Sequence, residues 1–187
     1  MEHDDDLQSV GRGCLVLASV GAGMAQDNPM VGGAAMMADR NIVENAANSA
    51  DHTTLVAAVQ AAGLAETLQG EGPFTVFAPV NAAFEALPPG TVDTLLKPEN
   101  KDMLTKILTC HVVGTNAMSD AIATMIADEG GSHVVETLGG CKLTAQASGD
   151  TITLTDENGT MASVTIADVR QSNGVIHVID KVLLPKS

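Results

Sequence analysis

The residues best equipped for chemistry lie side by side in "ILTCHVVG", where Cys110 is followed directly by His111. A thiol and an imidazole form a nucleophile and general base when they lie within hydrogen-bond reach of each other, roughly 2.6–3.2 Å. Adjacency works against that geometry. In a strand, neighbouring side chains point to opposite faces, and in a helix they diverge by about 100°. A working dyad would therefore need a histidine from elsewhere in the chain, His52, His133 or His177. No histidine or cysteine pair has zinc-site spacing, and there is no Gly-x-Ser-x-Gly elbow or phosphate-cradling glycine loop. No catalytic residue, metal ligand or cofactor-binding residue is assigned, and no cofactor is expected. The oxygen-rich "TDENGT" lacks the length and closing glutamate of an EF-hand loop, and Asn158-Gly159 reads as a hairpin turn instead.

The thiols offer a second chemistry. Cys14 lies in an apolar stretch, Gly13 to Ala25, that follows Arg12 and ends in small residues. It has the length of an export signal and is too short for a membrane span. The leader is expected to be residues 1–25, with cleavage after Ala25, although "MEHDDD" ahead of it is acidic where such signals are basic. A disordered tail is the other reading. Removal of the leader would leave two cysteines, Cys110 and Cys141, in an oxidising compartment. The compartment argument favours a disulfide between them over two buried free thiols.

Around these residues the chain reads as one folded unit. Residues 26–39 are rich in Gly, Pro and small side chains and read as a flexible linker, with the domain expected over residues 40–187. The first half is helical. "NIVENAANSA" is followed by "DHTTLVAAVQAAGLAETL", where Asp51 reads as the N-cap, Leu55, Val56, Val59 and Ala62 form one face, and Gly63 breaks the run. "FTVFAP" is a strand, Asn81 reads as the cap of "AAFEAL", and Met103, Leu104, Ile107 and Leu108 mark the stripe of a helix that ends near Cys110. "SDAIATMIADEGG" is a helix capped by Ser119 and buried through Ile122, Met125 and Ile126. After it come the strands "HVVETL", "KLTAQA", "TITLT", "MASVTIA" and "VIHVIDKVLL". Helices first and strands later give the class α+β. His177 alternates with Val175 and Ile179 and reads as a hydrogen-bonded core residue, whereas His52 reads as exposed in a first helical turn.

Composition narrows the partners. Lys and Arg number 9 against 23 Asp and Glu, a formal net charge of −14. Such a surface repels phosphate backbones and anionic membrane surfaces, so no nucleic acid is expected as a partner, and no stable membrane insertion is expected once the leader is removed. With no Trp, no Tyr and three Phe, the core must be aliphatic.

Three stretches carry a family resemblance. "FTVFAPVNAAFEALP" resembles the first signature box of the fasciclin domain, and "SNGVIHVIDKVLLP", Ser172 to Pro185, resembles its second. "ILTCHVV" sits where the family has its central motif. The resemblance covers roughly Asn41 to Pro185. It implies a wedge of two β-sheets packed with several helices. It also implies a secreted, periplasmic or cell-surface module that adheres to proteins or matrix and does no catalysis. The chain is read as a monomer, with a small-ligand or lipid carrier as the alternative function. In the family the central motif usually reads Tyr-His, and in animal members that region is implicated in integrin adhesion. Here Cys110 replaces the tyrosine. The resemblance places the candidate contact surface at His111, Val112 and Val113, with core packing as the alternative for these apolar residues.

Overall fold

The computed structural model describes residues 29–149 and 151–186. The expected leader lies outside them. The described chain opens on a small hairpin, β1 (Met30–Val31) against β2 (Ala34–Ala35). Part of the expected linker is therefore a hairpin anchored through Val31 and Met36, both buried in the main core, while Met30 and Met37 stay exposed. The turn glycines explain the difference. Gly32 has φ +59°, and a Cβ there would lie 2.4 Å from the Ser49 hydroxyl, so the hairpin sits flush on the turn at residues 49–51.

The helical half comprises α1 (Ile42–Asn48), α2 (Thr53–Ala62), α3 (Ala65–Gln69), α4 (Asn81–Glu85), α5 (Thr91–Leu95) and α6 (Lys101–Thr109), with β3 (Phe74–Pro79) between α3 and α4. Asn41 and Glu44 form a reciprocal capping box on α1. Gly63, left-handed at φ +74°, ends α2 where the sequence broke. The remaining elements are β4 (Val112–Val113), α7 (Ser119–Asp128), β5 (Ser132–Glu136), β6 (Lys142–Ser148), β7 (Thr151–Thr155), β8 (Met161–Gln171) and β9 (Gly174–Ile179). The fold is α+β, as read from the sequence.

Seven strands form one sheet in the order β4-β3-β9-β8-β7-β6-β5. β3 and β9, far apart in sequence, pair in parallel toward the β4 end of the sheet, with Phe77 opposite His177. β8 is long enough to serve two neighbours: its first residues pair with β7, and its remainder pairs with β9 through two register shifts. Such irregularities bend a strand and raise its local twist, which divides the sheet into two halves with two cores. Val76, Ala78, Ile176 and Val178 face the helices, whereas Phe77 and Ile179 face a second cluster with Ile122 and Ile126 of α7. Period-2 alternation along β3 and β9 thus feeds both cores from the same strands.

Two helix caps come from unexpected places. Asp51 does not cap α2, because Ala50–His52 form a 3-10 turn that delays the helix to Thr53. The Thr54 N–H donates instead to Asn81 Oδ1 at 3.1 Å, and Asn81 Nδ2 donates to the Ala50 carbonyl at 2.8 Å. Asn81 therefore secures a distant helix, and its own α4 has no side-chain cap. Likewise Ser119 receives a cap: its N–H and hydroxyl both donate to the Asp168 carboxylate at the bend of β8. Asn81→Ala is expected to cost about 1 kcal/mol in chemical denaturation. Hydrogen exchange should accelerate in the first turn of α2, with α4 unaffected.

Candidate functional site at the Cys110–His111 corner

Cys110 retains helical backbone angles at the end of α6, and its N–H donates to the Lys106 carbonyl at 3.0 Å. His111 follows as the chain turns into β4. A helix end leaves its last carbonyls without intrahelical partners. The His111 ring folds back to serve one of them, with Nδ1–H donating to the Ile107 carbonyl at 2.8 Å. That bond assigns the tautomer, because Nε2 must then accept, and it does so from the Leu183 N–H at 2.9 Å. The His111 carbonyl accepts from the Phe77 N–H at 2.8 Å. One residue thereby joins α6, the first signature stretch through β3, and the second through Leu183. The ring is 2% exposed, and burial pushes its pKa down to about 4, so it is neutral at pH 7.

Cys110 and Cys141 form a disulfide with Cα atoms 5.3 Å apart. The bridge belongs to a larger docking of residues 137–141 onto this corner. The Leu138 N–H donates to the Val112 carbonyl at 2.8 Å, and the Gly139 N–H donates to the Thr109 carbonyl at 3.0 Å. A Cβ on Gly139 would lie 2.7 Å from Thr109 Oγ1, so the loop closes this tightly because residue 139 is glycine. Sulfur and imidazole are both committed internally and form no nucleophile–base pair.

The surface expected at His111, Val112 and Val113 is corrected by this packing. Val112 and Val113 are 3% and 5% exposed, and none of the three side chains is offered to solvent. β4 is an outer strand, but the Leu138 segment covers it and both flanking cores absorb its valines. Ile107 and Leu108 are core, whereas Met103, assigned to the same stripe, is 58% exposed. Met125 is likewise half out of the α7 face, at 38%.

The other histidines separate cleanly. His177 is fully buried, donates from Nε2 to the Ala117 carbonyl at 2.7 Å, accepts at Nδ1 from the Asp168 N–H at 3.3 Å and stacks on Phe77. His52, expected to be exposed, is 1% exposed with Nδ1 2.9 Å from Ser49 Oγ, because the 3-10 turn removes it from the helix surface. Burial lowers the pKa of both rings. His133 is half-buried beside Glu129. Among the described residues no cluster of three or more His, Cys, Asp or Glu is placed to hold a metal. In "TDENGT", Asp156 accepts from the N–H groups of Asn158, Thr160 and Leu184, which binds the hairpin to the C-terminal segment. Asn173 was also without an assigned role. Its amide accepts from the Ile42 N–H and donates to the carbonyls of Leu68 and Gly70, connecting α1 and α3 to the entrance of β9.

The fasciclin domain matches the chain over residues 50–185, which takes in β3, the buried His111 and β9. The chain belongs to the fasciclin domain family. Protein sll1483 of Synechocystis is 48% identical over 160 residues, covering 86% of this chain and 82% of that protein. Cell surface glycolipoprotein MPB83 of Mycobacterium bovis is 34% identical over 181 residues, covering 94% of this chain and 72% of the relative. Transforming growth factor-beta-induced protein ig-h3 of Sus scrofa is 40% identical over 131 residues; the fasciclin domain here covers 70% of its own chain but 17% of that longer protein. Among solved structures, the FAS1 domain pair of the insect cell adhesion molecule Fasciclin I aligns with a TM-score of 0.69 at 18% identity, over 78% of this chain and 51% of that one. At that identity the likeness concerns the fold. No helix among the described residues is long and apolar enough to cross a membrane.

Proposed function

We propose that this fasciclin domain is an exported, monomeric surface-binding module that recognises a protein or matrix component and performs no bond chemistry. The observation that carries the reading is the saturated corner. Cys110 is bonded to Cys141, and both His111 nitrogens are engaged by backbone groups, which leaves the outer surface as the working part of the molecule. The similarity to a cell surface glycolipoprotein over 94% of the chain supports the setting. The carrier alternative has less support: the apolar cavity between α1, α2 and β3 measures about 30 Å³, space for on the order of one or two waters, and the larger hollow of about 540 Å³ is lined mainly by glycines and polar residues such as Asn41, Gln69, Glu71 and Asn173. Immobilised full chain is expected to bind a protein component of an envelope or matrix extract saturably, and protease treatment of the extract should abolish binding. Saturable uptake of a fluorescent fatty acid, with no protein retained, would overturn the reading in favour of a carrier.

A further inference from the structure

The two outer strands of the seven-stranded sheet, β4 and β5, approach each other at one point. The Leu138 N–H reaches the Val112 carbonyl there, and from that closure the edges diverge. The opening is a groove of about 240 Å³ lined by Val113, Gly114 and Thr115 on one side and by His133, Val134 and Val135 on the other. Ile122 and Met125 of α7 also line it. Along β5, hydrogen bonding is satisfied toward β6 alone, and among the described residues no other backbone group pairs with Ser132–Glu136.

Unprotected edges are rare because they recruit other strands, and proteins usually blunt them with Lys, Pro or a bulge. Residues 132–136 contain no Lys and no Pro, and the β5–β6 register is unbroken. The edge also exposes apolar surface: Val134 is 48% exposed, Leu138 52% and Met125 38%. Charge then selects the occupant. From Ile107 to Cys141 the chain carries Asp120, Asp128, Glu129 and Glu136 and no Lys or Arg. Lys142, directly after this stretch, lies 4.0 Å from Glu136 across the strand pair, with both side chains largely in solvent, an arrangement worth little.

We propose that β5 is an acceptor edge for an extended segment of a partner protein, apolar at alternate positions and rich in Lys or Arg between them. The segment adds as a strand beside β5, its backbone taking the free hydrogen-bonding groups and an apolar side chain entering the groove. Glu129 and Glu136 flank the site and attract its cations. This assignment deepens the surface-binding reading and rests on it, by naming the surface and the chemistry of the partner.

The probe is a capped hexapeptide alternating Lys and Val, titrated into the full chain and followed by backbone amide shifts. The expected result is a cluster of shifts over Ser132–Glu136 and Val113–Thr115, with slowed hydrogen exchange in β5. N-methylation of the peptide's valines, and replacement of its lysines by glutamate, should each weaken binding at least tenfold. Val134→Lys, at an exposed position, should do the same while leaving the thermal midpoint unchanged. Equal binding of the N-methylated peptide would reduce the effect to charge adsorption and overturn the proposal. Shifts at β5 that appear on concentrating the chain without peptide would overturn it too, because a second copy would be the occupant. If Val134→Lys retains full saturable binding to the extract protein, the edge assignment fails and the surface-binding reading stands. Loss of all extract binding by the wild-type chain strikes that reading instead.

Discussion

Replacing both Cys110 and Cys141 with alanine is expected to lower unfolding stability by about 4 kcal/mol while preserving the fold. The bridge spans a sequence separation of 31. In the chain-entropy account, closing a loop of that length removes about 4 kcal/mol worth of freedom from the unfolded chain. Against a typical domain stability of about 5–15 kcal/mol, that is a large fraction. The native state should survive, because residues 137–141 are also held by backbone bonds from Leu138 and Gly139 and by the Thr137 hydroxyl, which donates to the Cys141 carbonyl. Paired urea denaturation curves for wild type and the double variant test this. The midpoint should fall, and amide shifts away from the corner should stay unchanged. A single Cys110→Ala change is the less informative comparison, because it leaves a buried thiol on Cys141. A double variant within about 1 kcal/mol of wild type would mean that the unfolded chain already keeps the two segments together.

How far this arrangement is legible in the sequence depends on the range of each interaction. Elements set by local periodicity are legible: the α6 stripe of Leu104, Ile107 and Leu108 is buried, and so is the alternation through His177. The argument that adjacent Cys110 and His111 diverge needs only backbone geometry. Interactions that cross the fold leave no local trace. Asn81 has the residue type and position of a cap for its own helix, yet its carbonyl oxygen serves Thr54, 27 residues away. Asp168 serves Ser119 across 49 residues. The contact surface assigned to His111, Val112 and Val113 failed for the same reason. The family resemblance placed that surface with core packing as the alternative, and only the Leu138 segment lying over β4 shows that the core reading holds for the two valines. The acceptor edge on β5 was equally hidden, since "HVVETL" resembles any half-buried strand until the strand order places it outermost. The signal that was available is the absence of Lys and Arg from Ile107 to Cys141.

Acidification is expected to destabilise the domain well before its carboxylates titrate, with His111 the largest identified contributor. Its pKa falls from 6.5 in the unfolded chain to about 4 in the folded one, chiefly through loss of solvent. The folded ring cannot readily accept a second proton, because Nε2 already takes the Leu183 N–H and a protonated Nε2 would set donor against donor. Below pH 6.5 the unfolded chain therefore binds a proton that the native state refuses, and stability declines as pH falls. This contribution is fully present above pH 6.5 and is lost progressively toward pH 4. The loss reaches about 3 kcal/mol for His111 alone, at about 1.4 kcal/mol per pH unit. His52 and His177, also buried with lowered pKa values, act in the same direction and steepen the decline. Urea denaturation at pH 7, 6, 5 and 4.5 for wild type and His111→Gln separates this term from the carboxylates common to both chains. The variant should be less stable at pH 7, since it loses the fit at the corner, but its stability should fall more shallowly by about one proton's worth per pH unit. Parallel slopes would place the proton on folded His111 at ordinary acidity. The ring's carbon-bound protons, followed by NMR in the native state, should then titrate near pH 6.5, where the buried geometry requires them to stay silent.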